Sequence, residues 1–133
     1  LAAQAQIANA YDNAILYSDS VLAQLIDMLK TQALRDTAML YVSDHGESLG
    51  EYGLYLHGAP YAIAPKQQLH VPMVLWLSAS FAADAGIDMR CMQQIARQPT
   101  DHDALFSTLL GAFDVQTTVY RKDKDLLASC RAH

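Results

Sequence analysis

Side chains that can grip a metal or move a proton crowd into one short stretch of this sequence. Asp44 and His45 are adjacent, Glu47 follows, and His57 lies in Leu56-His57-Gly58. A carboxylate and an imidazole are both good zinc ligands, though two alone do not complete a site. Along a continuing strand, neighbouring side chains point to opposite faces. Asp44 and His45 can therefore share one metal only if the chain turns there, and Gly46 permits a turn. The plainer alternative is a strand-end Asp-His pair serving as turn and cap; for a bare dipeptide that reading is favoured, because short motifs recur by chance. An imidazole at His57 can bind a phosphate oxygen, coordinate a second metal or protonate a leaving group. It can equally be an exposed loop histidine. Glu47 can orient a ligand by accepting its hydrogen bond, or be a solvated glutamate. His70 precedes an apolar run and His102 sits at a helix start, where each can simply be a polar residue meeting its own hydrogen-bond needs.

Other chemistries have no motif to rest on. The sequence contains no Gly-rich phosphate cradle and no Cys-x-x-Cys. Its 7 tyrosines are spread too widely to define a stacking platform.

The elements around the Asp-His pair place it at the end of a strand. Residues Gln4 to Lys30 carry Ile7, Tyr11, Ile15, Leu22, Leu25 and Leu29 at helical spacings, with Asp12, Asp19, Gln24 and Asp27 among them, which predicts one long amphipathic helix. Asp12, Asn13 and Asp19 read as a solvated face. Thr37 to Val42 is a short apolar run with polar bounds, the pattern of a buried strand. Helix followed by buried strand suggests an α/β layered fold, in which ligands bind beyond the carboxyl ends of strands. After Ser43 to Ser48, the stretch to about His70 shows no clean periodicity and contains Gly50, Gly53, Gly58, Pro60 and Pro65. A loop that long in a compact domain is usually functional. Val71 to Leu77 predicts a second strand, Ala79 to Gln98 a loop with a short helix, and Asp101 to Ala112 a capped helix with Leu105, Phe106, Leu109, Leu110 and Phe113 on its apolar face. The tail has a weak helical pattern around Leu126 and Leu127.

Size and charge bound the rest. At 133 residues and 52% hydrophobic, the chain can form one domain with an ordinary core. Net charge is −5 and the nine basic residues are scattered, only Arg121-Lys122 being adjacent, so no nucleic-acid footprint is present. No apolar run is long enough to cross a bilayer, and no signal peptide opens the chain. The sequence starts directly in a helical pattern, so a piece of a longer protein is expected. Cys91 and Cys130 are either a pair or two unrelated buried thiols, and composition does not choose between them. If paired, they would add roughly 4 kcal/mol by closing a long loop.

Several spacings coincide in a more specific way. Tyr41-Val42-Ser43-Asp44-His45-Gly46-Glu47-Ser48-Leu49-Gly50-Glu51, Gly53-Leu54-Tyr55-Leu56-His57-Gly58, Ala64-Pro65-Lys66-Gln67 and Val71-Pro72 closely resemble the lipid A phosphoethanolamine transferases, which include the mobile colistin-resistance enzymes. Tyr11-Asp12-Asn13-Ala14-Ile15, His102-Asp103 and Cys130-Arg131 match too, so the resemblance covers nearly the whole chain. It implies an alkaline phosphatase/sulfatase-like layered fold with a central, mostly parallel sheet flanked by helices. It also implies that residues 1–133 are the C-terminal portion of the soluble catalytic domain, with the transmembrane region and the nucleophile-bearing portion absent. The implied reaction takes phosphoethanolamine from phosphatidylethanolamine, passes it through a phosphorylated threonine and delivers it to lipid A. The implied address is the periplasmic face of the bacterial inner membrane, which favours oxidation of Cys91 and Cys130.

Residue by residue, the resemblance makes Asp44 and His45 two ligands of a catalytic Zn2+. It makes His57 a catalytic or substrate-binding histidine, or one touching a further zinc, and His70 a peripheral substrate-side residue. At the late helix start the family often has Ser-His-Asp-Asn or Thr-His-Asp-Asn; Asp101-His102-Asp103-Ala104 stands here, so no role of that asparagine carries over. The remaining zinc ligands, a glutamate and the threonine, belong to a region outside this chain. Half a metal site is expected to bind zinc weakly and to be inert alone. Exposed edges would favour pairing with the missing segment or self-association. Two rivals stand beside this reading: a sulfatase, phosphatase or phosphoglycerol transferase of the same superfamily, and a non-catalytic binding fragment.

Overall fold

The structure is a computed structural model that describes residues 2–32 and 35–132. The chain divides into two compact units, Leu1–Trp76 and Leu77–His133.

The first unit opens with helix α1, Ala2–Lys30. Its last turn carries Lys30, a cation at the negative end of the helix dipole, held 2.9 Å from Asp27. Of the expected apolar stripe, Tyr11, Leu22 and Leu29 are half-buried, whereas Ile7, Ile15 and Leu25 stay exposed, as do Leu16 and Tyr17. Asp12, Asn13 and Asp19 are exposed, as a solvated face requires.

Strand β1, Ala38–Val42, follows, and it pairs with β4, Met73–Leu77. Ser43, just past β1, donates its N–H to Pro72 O at 3.3 Å, which fixes the end of the pair. Everything between these strands is the expected irregular segment, and it is more ordered than its periodicity suggests. Two-residue strands β2, Ser48–Leu49, and β3, Tyr55–Leu56, pair antiparallel with Ser48 opposite Leu56 and Leu49 opposite Tyr55. A single 3-10 turn, Glu51–Gly53, joins them, and a one-turn helix α2, Lys66–Leu69, comes later. Strands of two residues are too short to show alternation, which is why they were not legible as a hairpin.

The second unit contains α3, Ala79–Asp84, α4, Met89–Ile95, and α5, Asp103–Ala112. Residues 79–98 thus form two helices where a loop with one was expected. Each has a side-chain cap: Ser78 Oγ accepts from Phe81 N, and Asp88 Oδ1 accepts from Arg90 N and Cys91 N. Among the described residues, the buried hydrophobic side chains other than Pro65 lie in this unit, at Leu77, Ala82, Ile87, Ala104, Leu127, Ala128 and Cys130.

Helix α5 departs from expectation in which face it buries. Phe106, Leu109 and Phe113 are exposed, and the buried positions are Ala104, Ser107, Thr108 and Gly111. Small residues let the C-terminal tail lie close, and the two hydroxyls satisfy its backbone: Ser107 Oγ accepts from Arg121 N and Thr108 Oγ1 from Leu126 N. A side chain at Gly111 would collide with the Asp125 carboxylate. Asp101 does not cap α5. His102 occupies the cap position, and the Asp101 carboxylate lies 3.5 Å from Lys124 Nζ.

The tail is also tied to residues 86–88. Asp88 N donates to Cys130 O and Ala132 N to Gly86 O, at 2.8 and 2.7 Å. Cys91 and Cys130 are disulfide-bonded across 39 positions of sequence, with Cα atoms 5.4 Å apart.

Candidate metal and phosphoryl site

Strand β1 delivers Asp44 and His45 into a tight local network. Ser43 Oγ donates to His45 O at 2.8 Å, and the His45 N–H donates to Asp44 Oδ1 at 3.0 Å. That backbone bond, helped by the neighbouring imidazole of His45, holds the exposed Asp44 carboxyl below its usual pKa and therefore ionised. Gly46 matters here for a different reason from the one its freedom to turn suggests. It is not among the glycines with positive φ, which are Gly50, Gly53, Gly58 and Gly86. Its N–H donates to Gln68 O at 2.9 Å, and a Cβ would run into the Gln67 carbonyl. The requirement is close backbone approach.

His45 Nδ1 lies 3.0 Å from Gly46 O. With Nδ1–H donating there, the lone pair of Nε2 is left on the side of Asp44, whose Oδ2 is 3.8 Å away. Two ligands on one tetrahedral zinc stand about 3.3 Å apart. The pair is therefore close to a shared-metal geometry without moving the backbone.

Three ligand atoms gather on the other flank. One each from His45, Glu47 and His57 lie within 4.8 Å of one another, an arrangement able to hold a cation. The rings of His45 and His57 stack with centroids 3.7 Å apart and planes tilted by 31°. Glu47 Oε1 sits 2.8 Å from His57 Nδ1, and Glu47 Oε2 is buried with no hydrogen-bond partner among the described residues. A buried carboxylate oxygen left unpaired is costly, and a cation is a natural partner for it. Carboxylate and imidazole donors together suit a divalent metal of zinc's type.

The loop aims His57 by backbone conformation as well. Leu56 and Gly58 on either side of it have φ of 63° and 94°. A left-handed leucine is strained, and such residues gather at functional sites. His57 remains half-exposed and reachable.

Of the four residues expected at the site, Asp44, His45 and His57 come together. His70 lies at the C-terminal cap of α2, exposed, with its N–H on Lys66 O; it is not in the three-residue ligand group. His102 belongs to the second unit. Glu47 touches His57, as an orienting carboxylate would, and is also a member of the ligand group. Gln68 has no signal in the sequence, since a lone glutamine carries no motif.

The chain is similar to several known proteins. The chain is 48% identical over 130 residues to a phosphoethanolamine transferase EptA of Salmonella typhimurium, covering 96% of this chain and 24% of the relative. It is 50% identical over 108 residues to the phosphatidylethanolamine transferase Mcr-2 of Escherichia coli, covering 80% and 18%. The chain thus spans about a quarter or less of the length of these curated relatives. The crystal structure of the soluble domain of lipooligosaccharide phosphoethanolamine transferase A from Neisseria meningitidis matches with a TM-score of 0.94 and 47% identity, over 98% of this chain and 40% of that one. The C-terminal periplasmic domain of phosphoethanolamine transferase EptC from Campylobacter jejuni matches with a TM-score of 0.81 and 43% identity, over 92% and 38%. The alkaline phosphatase/sulfatase-like fold class expected from the sequence is therefore the observed one. The family model described as Sulfatase matches residues 2–115, most of the chain, and with it the chain belongs to the sulfatase family.

Proposed function

We propose that this chain is the metal-binding C-terminal portion of the soluble domain of a phosphoethanolamine transferase. The enzyme would take the group from phosphatidylethanolamine and place it on lipid A, with Asp44 and His45 as two zinc ligands. One observation carries the proposal. In a chain 48% identical to such transferases, His45 Nε2 faces Asp44 Oδ2 at 3.8 Å while Glu47 orients His57 beside them.

Zinc bound there would offset charge on an anionic phosphoryl group and lower the pKa of a bound hydroxyl. Asp44, kept ionised by the His45 N–H, contributes negative charge to the metal position at any pH above the ordinary carboxylate range. His45 contributes a neutral nitrogen whose direction is set by Gly46 O. His57, with Nδ1 held by Glu47, keeps Nε2 available to a phosphoryl oxygen or a departing group. His70 is proposed only as a peripheral contact on the substrate side. A threonine from outside these 133 residues would be the nucleophile and carry the covalent phosphoethanolamine. The remaining zinc ligands would come from that same part, so this portion alone is expected to be inactive.

Other features fit that reading. The disulfide suits an oxidising compartment such as the periplasm. Among the described residues no helix is long and apolar enough to cross a membrane, so membrane attachment would lie elsewhere in the protein. The exposed apolar residues of α1 suit packing against further parts of a larger domain, or self-association of the portion alone.

A second reading has one observation in its favour, the match to the sulfatase family: hydrolysis of a sulfate or phosphate ester. The test is to supply the complete enzyme with phosphatidylethanolamine and lipid A and to follow lipid A by mass spectrometry. A phosphoethanolamine increment supports the transferase. Turnover of a sulfate ester with unmodified lipid A would replace it with the second reading.

A further inference from the structure

The stretch carrying Asp44, His45 and Glu47 and the loop carrying His57 are different segments of chain, and something must hold them in register. Glu47 makes one link, through His57 Nδ1. The hairpin gives two residue pairs, Ser48 with Leu56 and Leu49 with Tyr55. Neither is strong, because Glu47 and His57 are partly solvated and a hairpin this short is marginal.

Gln68 makes the other links, and it is 5% exposed. Its backbone carbonyl accepts from Gly46 N at 2.9 Å, just before Glu47. Its side-chain Nε2 donates to Ser48 Oγ at 2.8 Å, just after Glu47. Its Oε1 accepts from Ala59 N at 3.2 Å, two residues after His57. Ser48 is itself 1% exposed. One buried side chain thus ties both arms of the site, and the tie runs beside the Glu47–His57 bond. Buried polar groups hold position tightly when every partner is satisfied. Both ends of this amide are used, one as donor and one as acceptor.

We propose that Gln68 is a positioning residue of the site, acting through His57. It clamps Ala59 to Ser48 and so keeps His57 Nδ1 on Glu47 and Nε2 toward the reacting group. The role in turnover rests on the transferase reading above; the role in orienting His57 does not.

Two measurements on the complete enzyme test it. The first is a double-mutant cycle on transfer from phosphatidylethanolamine, with Gln68→Met, which keeps the length of the side chain and removes both bonds, and His57→Ala. The expected result is a loss in kcat/KM of up to about 100-fold for Gln68→Met alone, since a small misplacement of a reacting group can cost that much. In the His57→Ala background the same change should have no further effect. An equal loss in both backgrounds, or no loss in either, overturns the proposal. The second measurement is the His57 ring signature in 1H–15N NMR, which needs no turnover and so separates a failure of this inference from a failure of the transferase reading. The wild type should show one fixed tautomer with the proton on Nδ1, and Gln68→Met should average the two. Unchanged ring resonances in the variant overturn the proposal. If Gln68→Met does not fold, Ser48→Ala, which removes one of the two side-chain bonds, is read by the same criteria in both measurements.

Discussion

Glu47 Oε1 lies 2.8 Å from Nδ1 of His57, ten positions further along the chain. The short hairpin between them brings the two within reach, and the bond leaves His57 with one ring nitrogen committed and the other available. A carboxylate behind a histidine fixes its tautomer and ring direction, and removing such a partner typically costs about 10- to 100-fold in activity or metal affinity. Glu47→Ala in the complete enzyme should lower kcat/KM for phosphoethanolamine transfer by about that factor while leaving the protein folded. Steady-state kinetics beside a thermal melt checks it; full activity would mean that His57 is aimed by its backbone alone.

Gly46 is fixed by contact. A methyl at that position meets the Gln67 carbonyl, which cannot yield without moving α2 and losing the bond from Gly46 N to Gln68 O. Overpacking of this kind costs roughly 1–3 kcal/mol. Gly46→Ala is expected to shift the denaturant midpoint down accordingly and to weaken metal binding with it, because Asp44 and His45 immediately precede it. An unchanged midpoint would show that the segment has room to relax.

The disulfide between Cys91 and Cys130 closes a loop with a separation of 39 residues. Chain entropy assigns such a loop roughly 4 kcal/mol. Replacing both cysteines by serine should lower unfolding stability by about that amount, measured by denaturant titration under oxidising conditions. The same titration with reductant should bring the wild type down to the variant.

Tyr120 provides a pH test that is independent of the site. Its hydroxyl donates to Asp125 Oδ2 at 2.7 Å, and this bond to a carboxylate, with some help from burial, raises its pKa above the usual value. In the unfolded chain the phenol loses its proton near pH 10, whereas in the folded chain it keeps it to higher pH. Its stabilisation is therefore fully present below about pH 10 and is lost as pH rises through the folded pKa. Tyr120→Phe should remove that part of the alkaline decline in stability, as followed by melting temperature between neutral and strongly alkaline pH. An identical alkaline decline in the variant would show that other groups cause it.

How far the sequence could be read depended on how long each pattern was. Helix α1 was legible because many residues repeat at one period, and the strands holding the loop because each is a short apolar run. That Asp44, His45 and His57 lie near one another was legible because fixed spacings coincide around them. The hairpin was not, since two pairs of residues cannot display a period. The buried face of α5 was misread because hydrophobicity pointed to Phe106, Leu109 and Phe113, while Ser107 and Thr108 are covered by a tail whose backbone they satisfy. Gln68 was invisible for a related reason: its importance lies in three bonds to Gly46, Ser48 and Ala59, and the type of residue gives no sign of them.

The most direct measurement is zinc titration by calorimetry on the complete soluble domain, beside Asp44→Ala and His45→Ala, and on the 133-residue chain alone. Asp44 Oδ2 and His45 Nε2, 3.8 Å apart, are expected to hold the ion together with ligands from outside the chain. Tight binding by the complete domain, lost in both variants and weak in the isolated chain, is the predicted result. Zinc binding that persists unchanged in both variants would contradict the assignment of the metal to this pair, and the transferase mechanism built on it would fall.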